Sequence, residues 1–227
     1  MKLLLTGGTG LIGSAIVELC KEHDIPVNYL TTDKAKILSN GNYHGYYWTP
    51  SQYEIDLGCF EGVTAIINLA GSSISKRWSA DYKNEILYSR INALKTLNQA
   101  LGKLDTKHIN SFVSASAIGI YPSSISNLYS EDDEEIDDSF LGEVVHKWEN
   151  EIDALSNCGF SVAKVRIGLV LSKNGGVLSE LEKPIKSYLG ATFGNGKQWQ
   201  SWIHISDLAR IFLFVVQNEL KGTYNGV

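Results

Sequence analysis

Leu3-Leu-Leu-Thr-Gly-Gly-Thr-Gly-Leu-Ile-Gly13 is the stretch from which the rest of the chain is read. Leu3 to Leu5 form an apolar run of the length a buried parallel strand needs. Glycines follow at 7, 8, 10 and 13, and Leu11, Ile12, Ala15, Ile16 and Leu19 then recur at helical spacing to about Lys21. Strand, glycine turn and helix, in that order, give a glycine fingerprint a mechanism. Gly8, Gly10 and Gly13 satisfy G-x-G-x-x-G: the first makes the tight turn, the second lets the backbone approach a pyrophosphate, and the third lets the helix pack close to the strand. The pyrophosphate would sit at the helix N-terminus, where free N–H groups and the dipole favour an anion. The plain alternative is a glycine-rich surface turn, and the flanking strand and helix argue against it.

The chain has 227 residues, enough for one large α/β domain or one domain with a small second lobe. No apolar run approaches the roughly 20 residues of a membrane span. The first strand begins at once, which leaves no room for a signal peptide. Cys20, Cys59 and Cys158 are scattered and in no metal-ligand spacing, so they read as reduced thiols of a cytoplasmic protein with no metal. The net charge is −5, but residues 131–138 alone carry −7 and the remainder +2. That balance excludes a nucleic-acid surface, and the acidic run reads as a solvated loop.

Downstream, Val27 to Thr31 reads as a second strand and residues 40–57 as a short strand and turn whose aromatics pack. Val63 to Leu69 and Ile109 to Val113 are further strands, and Ser79 to Lys103 and Phe140 to Leu155 are helices, the second capped by Asp138 or Ser139. Phe160 to Leu171 reads as one strand, 178–189 as a helix, 190–200 as a polar loop, and about 207–218 as the last helix. This β–α alternation predicts a doubly wound parallel sheet with right-handed crossovers.

Strand tips are where an open α/β sheet binds ligands. Thr31, Thr32, Lys34 and Lys36 end the second strand; hydroxyls and lysines suit a 2′-phosphate, so NADP is expected, while Asp33 leaves NAD as the alternative. Leu69, Ala70 and Gly71 are small enough for a cofactor to lie against the backbone. Arg77, just before the long helix, either meets phosphate or faces solvent. Ser114-Ala-Ser-Ala117, running on to Tyr121, offers hydroxyls to polarise a carbonyl or alcohol.

Thr6-Gly-Gly-Thr-Gly-Leu-Ile-Gly13 resembles the T-G-x-x-G-x-x-G signature of extended short-chain dehydrogenases/reductases. Asn68-Leu-Ala-Gly71, the serine strand, Arg166 and Trp202-Ile-His-Ile-Ser-Asp207 follow in that superfamily's order. Ser75-Lys-Arg-Trp78, Phe140-Leu-Gly-Glu-Val144 and Gly196-Lys-Gln-Trp-Gln-Ser-Trp202 are similar to an atypical branch, the sugar-nucleotide epimerase-like or NAD(P)-dependent epimerase/dehydratase proteins. The resemblance implies a Rossmann domain over residues 1–165, with 166–227 holding a remaining sheet strand and part of a substrate lobe. It implies a lobe truncated by some tens of residues, Gly7, Thr9, Gly10, Leu11, Ile12 and Gly13 at the cofactor, a small-molecule substrate, and a homodimer as one arrangement.

The same resemblance places the catalytic Tyr-x-x-x-Lys pair at Leu141 and Val145, neither of which moves a proton. Two functions are therefore expected. One is an NADP(H)-dependent epimerase-like oxidoreductase of small or nucleotide-linked hydroxyl or carbonyl compounds, with the substrate oxygen held by Ser116. Its proton would be carried by Tyr121 before Glu143 or His204, and His204 reads more readily as an ordered, hydrogen-bonded strand-end residue than as an acid/base. The other is an NADP(H)-binding sensor or interaction protein without turnover.

Overall fold

The computed structural model describes residues 1–190 and 194–227. Part of the polar loop expected at 190–200 thus lies outside the described residues. The strands are β1 (Leu3–Thr6), β2 (Val27–Thr31), β3 (Tyr43–Thr49), β4 (Ala65–Asn68), β5 (Ser111–Ala117), β6 (Ser161–Ile167), β7 (Leu169–Ser172), β8 (Trp202–His204) and β9 (Gly222–Gly226). The helices are α1 (Leu11–Glu22), α2 (Ala80–Leu101), α3 (Phe140–Asp153), α4 (Val177–Lys186) and α5 (Ile205–Gln217).

Leu3, Leu4, Leu5, Ile66, Ile67, Phe112 and Val113 are fully buried, as strands covered on both faces must be. They form the middle of a sheet ordered β3-β2-β1-β4-β5-β6-β9, every neighbouring pair parallel. Two-residue pieces at 39–40 and 54–55 add antiparallel pairs to β3. Helices α1 and α5 pack together on the sheet, and α2 packs with α3. This is the doubly wound Rossmann-type sheet that the sequence predicts, and the order reverses at β1, where the glycine turn sits.

Helix ends follow local chemistry. Ser79 Oγ accepts the Tyr82 N–H at 3.2 Å to start α2, and Ser139 Oγ, the nearer of the two expected caps, accepts the Gly142 N–H at 3.3 Å to start α3. His204 caps α5 two residues ahead of the expected start, its ring Nδ1 accepting from the Ser206 N–H.

The single strand expected from Phe160 to Leu171 divides at Gly168. β6 stays in the main sheet, whereas β7 pairs with β8 and with Gly175–Gly176 in a separate three-stranded sheet. Gly168 gives its N–H to the Gly226 carbonyl at 3.0 Å, and a Cβ there would stand 2.6 Å from the Ser201 carbonyl oxygen. Only glycine lets the chain pass between sheets so close to another backbone. Strand β9 was not expected: Gly-Thr-Tyr-Asn-Gly has little strand propensity, and pairing with β6 creates it. The expected division after residue 165 falls inside β6, and α5 and β9, both after it, belong to the main sheet's layers.

The acidic run is solvated as expected, all its carboxylate residues being exposed except the half-buried Asp137, and it is tied to the fold at two points. Glu131 Oε1 accepts the Asn225 N–H of edge strand β9 at 2.6 Å, and the Asp137 N–H reaches the Ile120 carbonyl at 2.8 Å.

Candidate cofactor cleft and buried polar network

The turn after β1 is built without spare room. Gly7 adopts φ +67°, and a Cβ there would lie 2.9 Å from the Leu69 carbonyl oxygen. A Cβ on Gly13 would lie 2.2 Å from the Gly7 carbonyl oxygen, so the third glycine sets how closely α1 approaches the turn. At Gly10 the nearest atom to a Cβ is the Gly7 oxygen, 3.3 Å away. Gly10 is the N-cap of α1 and supplies no side chain, which leaves the first N–H groups of the helix to a ligand.

The turn opens on a cleft of about 460 Å³ between the tips of β1, β2 and β4 and the flank of α2. Gly7, Thr9, Thr31, Thr32, Ala70 and Gly71 line it, all expected there. Gly10 and Leu11 line an adjoining hollow with Thr9, beside Gly175 and Gly176. Ile12 and Gly13 follow in the first turn of α1. Leu69 gives its N–H to Thr6 Oγ1 at 2.9 Å and supports the cleft from behind.

Lys34 departs from the expectation. Its ammonium stands over the Tyr47 ring at 4.8 Å, and Lys36 lines the cleft in its place. Asp33 is turned onto the Ala35 N–H at 3.0 Å, capping a short helical turn, with its other oxygen 3.9 Å from Lys36 Nζ. Sequence reading missed the far wall: Trp48, Pro50 and Ser51, and Glu85, Ser89 and Asn92 of α2. The α2 residues recur at four and three positions, a polar stripe that was legible as one helix face.

Ser116 and Tyr121 are brought together, but not into this cleft. The Ser116 side chain is 2 % exposed and donates to Glu149 Oε1 at 2.5 Å. Glu149 receives Arg166 in a two-pronged pair, Nε at 2.9 Å and Nη2 at 3.0 Å. Arg166 Nη1 donates to the Tyr121 hydroxyl at 2.7 Å, and that hydroxyl donates to Asn225 Oδ1 at 2.9 Å. Burial raises the Glu149 pKa; hydrogen bonds from Arg166 and Ser116, with the charges of Arg166 and Lys164, more than offset it, so the net shift is downward. The Arg166 pKa is pushed up, its bonds to Glu149 and Tyr121 outweighing burial.

The remaining expected residues lie elsewhere. Arg77 is exposed before α2. Glu143 pairs with Lys147 at 2.6 Å on an exposed face of α3, and His204 is spent on capping α5. Leu141, where the resemblance puts the catalytic tyrosine, lies 3.7 Å from the Cβ position of Gly119, and Val145 is buried.

A parallel sheet with this turn at its switch point defines a dinucleotide-binding α/β protein of the Rossmann type. The chain belongs to the NAD dependent epimerase/dehydratase family, whose model matches residues 3–225. It is 35 % identical over 224 residues to an epimerase family protein of Staphylococcus aureus, covering 98 % of this chain and 73 % of that one. Among solved structures it superposes on a human epimerase family protein with NADPH (TM-score 0.83, 27 % identity, all of this chain and 74 % of that one). A nucleoside-diphosphate sugar epimerase of Corynebacterium glutamicum also has a TM-score of 0.83, with 28 % identity, over all of this chain and 46 % of its own length. No helix among the described residues is long and apolar enough to cross a membrane.

Proposed function

We propose that the protein binds NADP(H) along the glycine turn and the β2 and β4 tips, and acts as an epimerase-like oxidoreductase on a small or nucleotide-linked hydroxyl or carbonyl compound. The observation that carries the reading is the uncapped start of α1 behind Gly7, Gly10 and Gly13, a cradle that side chains would fill. Thr9, Gly10, Leu11 and Ile12 would hold the pyrophosphate, Thr31 and Thr32 the adenosine ribose, and Ala70 and Gly71 the wall beside it. Lys36 would meet the 2′-phosphate, and Asp33, whose Oδ1 caps its own turn and whose Oδ2 faces Lys36 at 3.9 Å, keeps a negative charge that this lysine partly balances. The NADPH in the human relative supports the same choice. When bound, the cofactor supplies hydride transfer.

In this reading Tyr121 exchanges the proton. Arg166 holds the phenol oxygen, and Ser116 acts at one remove, fixing Glu149, which fixes Arg166. Arg77, Glu143 and His204 are left out, being exposed, paired with Lys147, or engaged as a cap.

A second reading, NADP(H) binding without turnover, is favoured by the apolar Leu141 and Val145 and by the commitment of the Ser116 hydroxyl to Glu149. Calorimetric titration with NADPH, NADP, NADH and NAD tests the shared part. NADPH binding that is lost in Gly10→Asp supports it, and no binding of any of the four removes both readings. A substrate screen with wild type and Tyr121→Phe then separates them: turnover lost in the variant supports the enzyme, and no turnover in either supports the sensor.

A further inference from the structure

The cleft proposed for a polyanion carries little positive charge in its own lining. Among the described residues that line it, Asp33 and Glu85 oppose one lysine, Lys36, which already faces Asp33 at 3.9 Å. A cation stands just behind the wall. Arg90, on α2, lays its guanidinium against the back of the 70–72 segment: a Cβ on Gly71 would sit 3.0 Å from Arg90 Cζ. Arg90 Nη1 donates to the Ser72 carbonyl at 3.2 Å and to the Ile86 carbonyl at 2.8 Å. The guanidinium also lies over the Trp148 ring at 5.1 Å.

These contacts are all to neutral groups, and among the described residues no carboxylate pairs with Arg90. Burial lowers its pKa to about 10, slightly offset by Tyr82, so it remains charged at neutral pH. Arg90 is half-buried, and an arginine withdrawn from water in this way ordinarily finds a carboxylate or phosphate. Here the open side of the wall that it braces is the cleft itself, lined by Gly71, Ser72 and Ser89. Protein of low polarity between a fixed charge and a cleft screens it less than water would, so its field reaches a ligand there.

We propose that Arg90 is a positioning residue of the cofactor site, supplying through the Gly71–Ser72 wall the positive potential that draws and holds the phosphates of the dinucleotide. Gly71 permits it, because a side chain there would displace the guanidinium. The inference rests on the NADP(H) reading above.

The test compares a charged and a neutral ligand on the whole chain: NADPH by calorimetry and adenosine by ligand-observed NMR, with thermal unfolding as the control for folding. Arg90→Gln is expected to weaken NADPH by about tenfold or more and adenosine by less than about twofold, because the effect follows ligand charge. Arg90→Lys, which keeps a cation but loses the planar brace, is expected to stay within about threefold of wild type for both. Equal weakening of both ligands in Arg90→Gln, or NADPH binding at wild-type strength, overturns the proposal. If Arg90→Gln does not fold, Arg90→Lys decides: retained NADPH affinity upholds the charge, and loss of both ligands makes Arg90 a brace only. Failure of wild type to bind any dinucleotide removes the cofactor reading first and this proposal with it.

Discussion

Thr6 Oγ1 donates to Asn68 Oδ1 at 2.7 Å across the tips of β1 and β4, and both side chains are fully buried. The same oxygen accepts the N–H groups of Leu69 and Ala70, at 2.9 and 3.0 Å, and Asn68 Nδ2 passes the chain on to Ser114 Oγ at 2.9 Å. One hydroxyl therefore ties the glycine turn to the opposite wall of the cleft. Thr6→Val keeps the shape and leaves an acceptor and two backbone donors unpaired. It is expected to cost about 2–4 kcal/mol and to lower the melting temperature by roughly 5–12 °C, read by calorimetric unfolding.

Two glycine substitutions should separate binding from folding. Gly10→Asp adds a capping carboxylate where the turn has room to give, so stability should stay within about 1 kcal/mol of wild type. The carboxylate occupies the anion position, and NADPH affinity should fall at least about tenfold. Gly13→Ala drives a Cβ to 2.2 Å from the Gly7 carbonyl oxygen, so it should lose stability as well as binding. Titration paired with melting curves distinguishes the two patterns.

Lys36 and Lys34 are two residues apart and differ in orientation. Lys36→Ala should weaken NADPH by about fivefold, a surface charge contact of about 1 kcal/mol, and leave NADH unchanged. Lys34→Ala, which removes only a contact with Tyr47, should alter neither. Equal effects on both cofactors from Lys36→Ala would count against a 2′-phosphate contact.

Glu149 and Arg166 form a buried pair whose disruption leaves a charge uncompensated. Arg166→Met should destabilise the fold by about 3–5 kcal/mol, measured by denaturant unfolding. Glu149 has its folded pKa below the ordinary carboxylate value of about 4.3. Its stabilisation is thus complete above that ordinary value and is lost as the pH falls through the depressed one. Wild type should lose stability over that acid range more steeply than Glu149→Gln does.

Much of the scaffold was legible because its signals are local. The apolar run at Leu3, the glycine spacing and the helical recurrence of Leu11 to Leu19 are short-range patterns, and Ser79 and Ser139 cap helices by chemistry within three residues. Strand β9 and the break at Gly168 were not legible, since both exist through contacts with residues distant in the chain. The candidate site divides in the same way. Gly7, Thr9, Thr31, Thr32, Ala70 and Gly71 reach the cleft as expected from strand-tip position. Lys34 and Lys36 were alike on paper, and only the placement of Tyr47 separated them.

From residue order alone came the parallel α/β class and the dinucleotide-type turn, because each depends on residue identity at fixed spacing; the family resemblance added that Leu141 and Val145 stand where a tyrosine and a lysine would carry protons. The tertiary structure alone decided that Ser116 is bound to Glu149, that Tyr121 answers to Arg166 and Asn225, and that Arg90 stands uncompensated behind Gly71. Those pairs join residues 19 to 104 positions apart. A hydrogen bond or a charge acts over a few ångströms, and only the folded chain brings such partners within that range.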